Sequence, residues 1–144
     1  MSIRITGLSD AMRILNSVAN DHPKKLKQQT RESARIILNN AKRKAPLLTG
    51  DLRKSGFVEE LKGSNGFGQA VTFSMDYAPF MEFGTGGLVK VPDELKKQAW
   101  LFKGKGIKQV NLRARPYLYP ALLKGRIEYI DKLKKVLEKY GKSV

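Results

Sequence analysis

Cysteine is absent from the 144 residues, and histidine occurs once, at His22. The first absence excludes disulfides, thiolate zinc sites, iron–sulfur ligation and cysteine nucleophiles. It also fits a reducing compartment. The scarcity of histidine excludes a two-histidine metal site. His22 itself stands between Asp21 and Pro23, in a predicted junction between helices, and reads as a surface loop residue. Long apolar runs are missing too. No stretch of 18 apolar residues occurs, so no transmembrane helix is expected. The first 18 residues lack the apolar core of a secretory signal. Acidic residues are few, 13 against 28 Lys and Arg, which leaves a net charge of +15 and a pI near 10.1.

The few acids are badly placed for catalysis. Glu59-Glu60 and Asp93-Glu94 are sequence neighbours, and neighbours on a strand point to opposite faces. Asp51, Asp76 and Glu82 have no clustered spacing that would suggest magnesium. Gly84-Thr85-Gly86-Gly87 lacks the strand, the Gly-Lys-Ser/Thr ending and the helix of a phosphate loop. The sequence therefore predicts no enzyme, no metal and no cofactor.

What is abundant is positive charge, and it is uneven. Residues 1–50 carry ten bases against Asp10, Asp21 and Glu32. Residues 51–110 are nearly balanced, and residues 111–144 return to nine bases against Glu128, Asp131 and Glu138. Such a chain attracts polyanions, whether nucleic acid or an acidic protein face. The length suits one domain spanning 1–144.

Hydrophobic periodicity predicts an α+β fold: a small antiparallel sheet covered by two long helices, with an extended arm at 86–111. Residues 2–6 alternate as a short strand, and a helix is expected near 9–20. Pro23 then opens a helix over 24–44. Its inner stripe is Leu26, Thr30, Ala34 (or Ser33), Ile37 and Ala41, and its outer face includes Lys24, Lys25, Lys27, Arg31, Arg35, Lys42 and Arg43. A turn at 45–50 leads to strands 52–61 and 69–75, joined by the Gly- and Asn-rich loop 62–68. Residues 76–86 read as a short helix or turn, and 107–112 as a returning strand. A final helix runs over 118–140, with Leu122 (or Leu123), Ile127 (or Arg126), Ile130, Leu133 and Leu137 facing inward. Glu128–Lys132, Asp131–Lys135 and Lys134–Glu138 are its four-spaced opposite pairs. In the arm, Val89, Val91, Leu95, Trp100, Leu101 and Phe102 have no evident core to join, which marks them as candidates for a subunit interface. Lys103, Lys105 and Lys108, on a Gly-rich stretch, are the candidate flexible contacts to DNA.

Three blocks of sequence stand out. They are Ala-Lys-Arg-Lys-Ala-Pro-Leu-Leu-Thr-Gly-Asp-Leu-Arg-Lys-Ser (41–55), Tyr-Ala-Pro-Phe-Met-Glu-Phe-Gly-Thr (77–85) and Arg-Pro-Tyr-Leu-Tyr-Pro-Ala-Leu (115–122), followed by the amphipathic helix. In this order they resemble the tail-completion, or head–tail joining, proteins of long-tailed bacteriophages. Leu47-Leu48 departs from the Val-Asp often found there, and Tyr117 from the usual Phe. The resemblance implies a structural protein of the virion neck, assembled in the host cytoplasm. It would act as a homo-oligomeric ring, commonly a hexamer, between head connector and tail, with double-stranded DNA passing through. It also implies motif roles for Pro46, Thr49, Gly50, Leu52, Tyr77, Glu82, Phe83, Gly84, Thr85, Arg115 and Pro116. Two alternatives stay open: a tail terminator ring, and a stand-alone basic nucleic-acid-binding module. Beside the aromatic residues of the second block, Glu82 is a candidate ion-pair partner for Arg115.

Overall fold

Pro23 occupies the first turn of a long helix, where its missing N–H is no loss and its fixed φ suits the backbone. In the computed structural model, which describes residues 2–3, 23–47, 49–88, 90–99 and 111–141, this helix is α1, Pro23–Lys44. The strand β1, Ser2–Ile3, precedes it. After it come the four-residue helix α2 (Asp51–Lys54), the strands β2 (Gly56–Glu60) and β3 (Gln69–Phe73), and the helix α3 (Ala78–Phe83). Single 3-10 turns at Gly86–Leu88 and Asp93–Leu95 lead into α4 (Lys96–Ala99), and the long helix α5 (Leu118–Gly141) closes the chain. The fold is α+β. The predicted helix at 9–20, His22 and most of the predicted strands 2–6 and 107–112 lie outside the described residues. Residues 111 and 112 carry no regular structure.

The sheet has the order β1-β3-β2 and is antiparallel. Gly56 pairs with Phe73 and Val58 with Val71, while Ile3 meets Val71 from the other side. The strand expected from residue 52 begins only at Gly56. Gly50 adopts a left-handed backbone (φ 81°), which reverses the chain. The N–H groups of Lys54 and Ser55 then donate back to the carbonyls of Gly50 and Asp51, at 3.1 and 2.9 Å. This extra helical turn buries Leu52, so burial and local hydrogen bonding both favour it over extension. The second strand likewise stops at Phe73 rather than residue 75.

The inner stripe of α1 is as the periodicity predicts: Leu26, Thr30, Ser33, Ala34, Ile37 and Ala41 are buried. Ala34, Ile37 and Ala41 meet Val71 and Phe73 of the sheet and Tyr117, Leu118 and Ala121 of the last segment in one core. The inner face of α5 agrees with the expected one at Leu133, with Leu122 and Leu137 packed against the core, and differs elsewhere. Its buried positions include Leu118, Ala121, Gly125, Tyr129 and Leu133, whereas Ile127 is 65% exposed. Leu26 packs with Tyr129 and Leu133, Thr30 meets Tyr129, and Ile37 lies on Gly125, so α1 and α5 run antiparallel. Gly125 sets the phase. A Cβ built there would lie 2.1 Å from Cγ1 of Ile37, so only glycine lets the helices approach this closely. Each large side chain buried along the seam contributes about 1.5–3 kcal/mol.

Candidate assembly site

The three sequence blocks converge on one node. In the first, Thr49 donates its hydroxyl to the Asp51 carboxylate at 2.5 Å. Leu52 is buried, and Arg53 reaches back to α1. Its Nε and one terminal nitrogen donate to the carbonyl of Ala45, at 3.0 and 2.9 Å. A cation is thereby placed against the unsatisfied carbonyls at the end of α1, where the helix dipole is negative. Pro46, Thr49, Gly50 and Leu52 border one shallow depression with Tyr77 and Met81 of the second block.

The second block is tied to the third by Glu82. This side chain is 1% exposed. One carboxylate oxygen accepts the N–H groups of Tyr117 and Leu118, at 2.8 and 2.9 Å, and the other accepts that of Tyr119, at 2.8 Å. These are the free donors at the start of α5, so a carboxylate from 35 residues upstream caps that helix. The candidate Glu82–Arg115 ion pair does not form. The backbone donors already fill the carboxylate, and Arg115 is exposed, its own N–H donating to the carbonyl of Met81 at 2.8 Å.

Backbone bonds lock the same region. Gly84 ends α3 with φ 78°, its N–H on the Phe80 carbonyl at 2.9 Å. A Cβ at Gly84 would meet the Leu112 carbonyl oxygen at 2.7 Å and the Ala114 nitrogen at 2.8 Å. Thr85 and Leu112 are joined twice, by Thr85 N–H to the Leu112 carbonyl and by Leu112 N–H to the Thr85 hydroxyl, both 2.9 Å. Tyr117 is buried edge-on to Phe73, with ring centroids 4.9 Å apart. Burial raises its phenol above the ordinary value of 10.0, and the Glu82 charge adds to the rise. Tyr129 is raised in the same direction by burial.

The motif residues thus meet, while the predicted interface residues divide. Leu95 is buried against Phe83, and Val91 packs beside Tyr119 in the same small cluster. The expectation that these two have no core to join is corrected: the strap 90–95 folds back over α3, with the Lys90 N–H on the Phe83 carbonyl at 2.9 Å. Val89, Trp100, Leu101, Phe102, Lys103, Lys105 and Lys108 lie outside the described residues. Phe83, Val91, Pro92, Pro116, Tyr119 and Pro120 border an apolar groove of about 480 Å³. A second cavity, about 310 Å³, opens between α1, the 61–69 hairpin and α5, and Thr30, Ser33, Gln69 and Tyr129 line it. The Gln69 side-chain nitrogen is buried with no hydrogen-bond partner among the described residues.

Sequence reasoning missed Arg53, Gln69 and the capping role of Glu82. A base just past a helix end is a usable signal for the first. Nothing local signals the other two.

Ion pairs compensate little of the charge. Among the described residues Asp93 pairs with Lys96, which holds its carboxyl below the usual range, and Lys124 lies 4.0 Å from Glu128. Lys124 is one turn before Glu128, where the sequence suggested Lys132, one turn after it. The described residues hold no group of three or more potential metal ligands. No described helix is long and apolar enough to cross a membrane.

Residues 9–84, more than half of the chain, match the family described as "Bacteriophage HK97-gp10, putative tail-component". The chain belongs to this HK97-gp10-like family of phage tail components, in keeping with the head–tail resemblance of the three blocks. The matched stretch holds the first two blocks, and the third is joined to them by Glu82. No curated protein and no solved structure matches the chain.

Proposed function

We propose that this tail component works in the virion neck as a homo-oligomeric ring, completing the tail and joining it to the head connector, with duplex DNA passing through its lumen. Family membership gives the structural role, and the node supports the finer reading. The three blocks that resemble head–tail joining proteins are used to lock α1, α3 and α5 into one rigid frame. On the surface of that frame and beside it, Leu47, Phe57, Tyr77, Leu88, Leu123 and Ile127 remain exposed, which leaves apolar surface for contacts between copies. The arm at 86–111 reaches a neighbour in this scheme, and Lys103, Lys105 and Lys108 approach DNA. Such a part holds its neighbours by shape and needs no bound cofactor.

Cryo-electron microscopy of the neck, with deletion of the gene and complementation, tests the proposal. Deletion yields separate full heads and finished tails, and the micrographs place a ring of this chain at their junction. Joined, infectious particles without the chain, or density for it at the tail tip, would end the neck assignment.

A further inference from the structure

Lys24, Arg31, Arg35 and Lys42 are spaced by seven, four and seven residues along α1. At 100° per residue all four fall within an arc of about 40°, and at 1.5 Å per residue the row is about 27 Å long. The arc lies across the helix from Leu26, Thr30, Ile37 and Ala41, the face turned to the core. Lys24, Arg31 and Arg35 are exposed and Lys42 half-exposed. None of the four has a hydrogen bond or ion pair among the described residues. Glu32 is the one acid on α1, and its carboxylate accepts the Gln28 amide at 2.9 Å.

We infer that this row is a binding site for the phosphate backbone of duplex DNA. The row is straight, cationic and dry of apolar anchors. No apolar side chain lies in the arc, Leu38 beside it packs into the core, and none of the exposed large apolar residues belongs to α1. A protein partner needs an apolar centre to hold an interface, whereas phosphate contact needs only cations in reach. The outer side of α5 makes the contrast. There exposed Leu123 and Ile127, with Asp131 and Glu138, interrupt the lysines, which suits a protein neighbour better than a duplex. The row reads no sequence. This deepens the neck-ring reading and rests on it only for the presence of DNA; binding by the isolated chain is measured without particles, so either can fail alone.

The full chain is titrated onto a labelled 24-base-pair duplex of mixed sequence, by fluorescence anisotropy, between 50 and 200 mM NaCl. Replacing the row together (Lys24→Gln, Arg31→Gln, Arg35→Gln, Lys42→Gln) lowers the slope of log affinity against log salt by about 3.6, at about 0.9 per phosphate contact. The matched set on α5 (Lys124→Gln, Lys134→Gln, Lys135→Gln, Lys139→Gln) changes it by less than about 1. Should the fourfold variant lose its helical circular dichroism, Lys24→Gln alone lowers the slope by about 0.9, and Arg31→Lys with Arg35→Lys leaves it unchanged. Equal losses from the two sets would make the binding a matter of bulk charge and overturn the assignment. So would an unchanged slope, or displacement of the duplex by poly-L-glutamate as readily as by unlabelled DNA.

Discussion

Replacing Glu82 tests whether the node is held by one buried carboxylate. Glu82→Gln preserves shape and leaves one acceptor oxygen, which can still take the N–H groups of Tyr117 and Leu118. It sets an amide donor against the N–H of Tyr119, which the second oxygen accepts at 2.8 Å. One charge-assisted bond becomes a donor–donor contact, and the other two lose their charge. Bonds to charged acceptors contribute about 1.5–3 kcal/mol each and neutral ones about 0.5–1.5, so losing one charged bond and neutralising two costs about 4 kcal/mol. Glu82→Ala leaves three N–H groups without an acceptor and costs about 4–6 kcal/mol, water from the adjoining groove softening the loss. Against a total of about 5–15 kcal/mol, the glutamine variant folds and the alanine variant is marginal. Urea denaturation followed by circular dichroism measures both. The glutamine variant also melts about 8–16 °C lower, at about 2–4 °C per kcal/mol for a chain of this size. A glutamine variant within 0.5 kcal/mol of the parent, or one less stable than the alanine variant, would refute the capping account.

Four further outcomes follow from the same geometry. Gly84→Ala puts a Cβ against two backbone atoms at a left-handed φ and lowers stability by about 2 kcal/mol or more, read in the same urea titration. Gln69→Met removes a buried donor without a partner and raises the melting temperature, by about 1 kcal/mol of stability. Gly125→Ala costs about 1–3 kcal/mol by overpacking on Ile37, and Ile37→Ala does less harm in that background than in the parent, which a double-mutant cycle detects. Alkaline titration reports the phenols of Tyr117 and Tyr129, whose native values lie above the unfolded 10.0. Their contribution is complete below pH 10 and is lost as the pH climbs from there towards the native values. Unfolding experiments above pH 10 show stability falling by up to about 1.4 kcal/mol per pH unit for each phenol, a slope that Tyr117→Phe reduces.

The inner stripe of α1 was legible because its apolar and small residues keep one period over about four turns, with Pro23 marking the start. The β2–β3 hairpin was legible from its glycine-rich loop. The phase of α5 was legible only in part, at Leu122, Leu133 and Leu137. Gly125 and Tyr129 carry the contact with α1, and a search for aliphatic spacing passes over a glycine and a tyrosine while counting Ile127, which faces solvent. The helix at 51–54 was also hidden, since four residues are too few to show a period. Glu82 was marked by its sequence block, but its partners are backbone groups, which have no signature in the sequence. Pairing it with Arg115 followed charge, whereas folding matched a helix end that was short of acceptors. Leu95 looked stranded because its partner, Phe83, is brought to it only when the strap folds back.

The two hydrogen bonds between Thr85 and Leu112 make the chain between them a side road that leaves and rejoins at one point. Closing such a detour costs only about 0.6 kcal/mol more for each doubling of its length, so the frame hardly registers how long it is. An affinity tag or a foreign coupling segment inserted after the strap 90–95, which itself packs on α3, should leave α1, α3 and α5 clamped as they are.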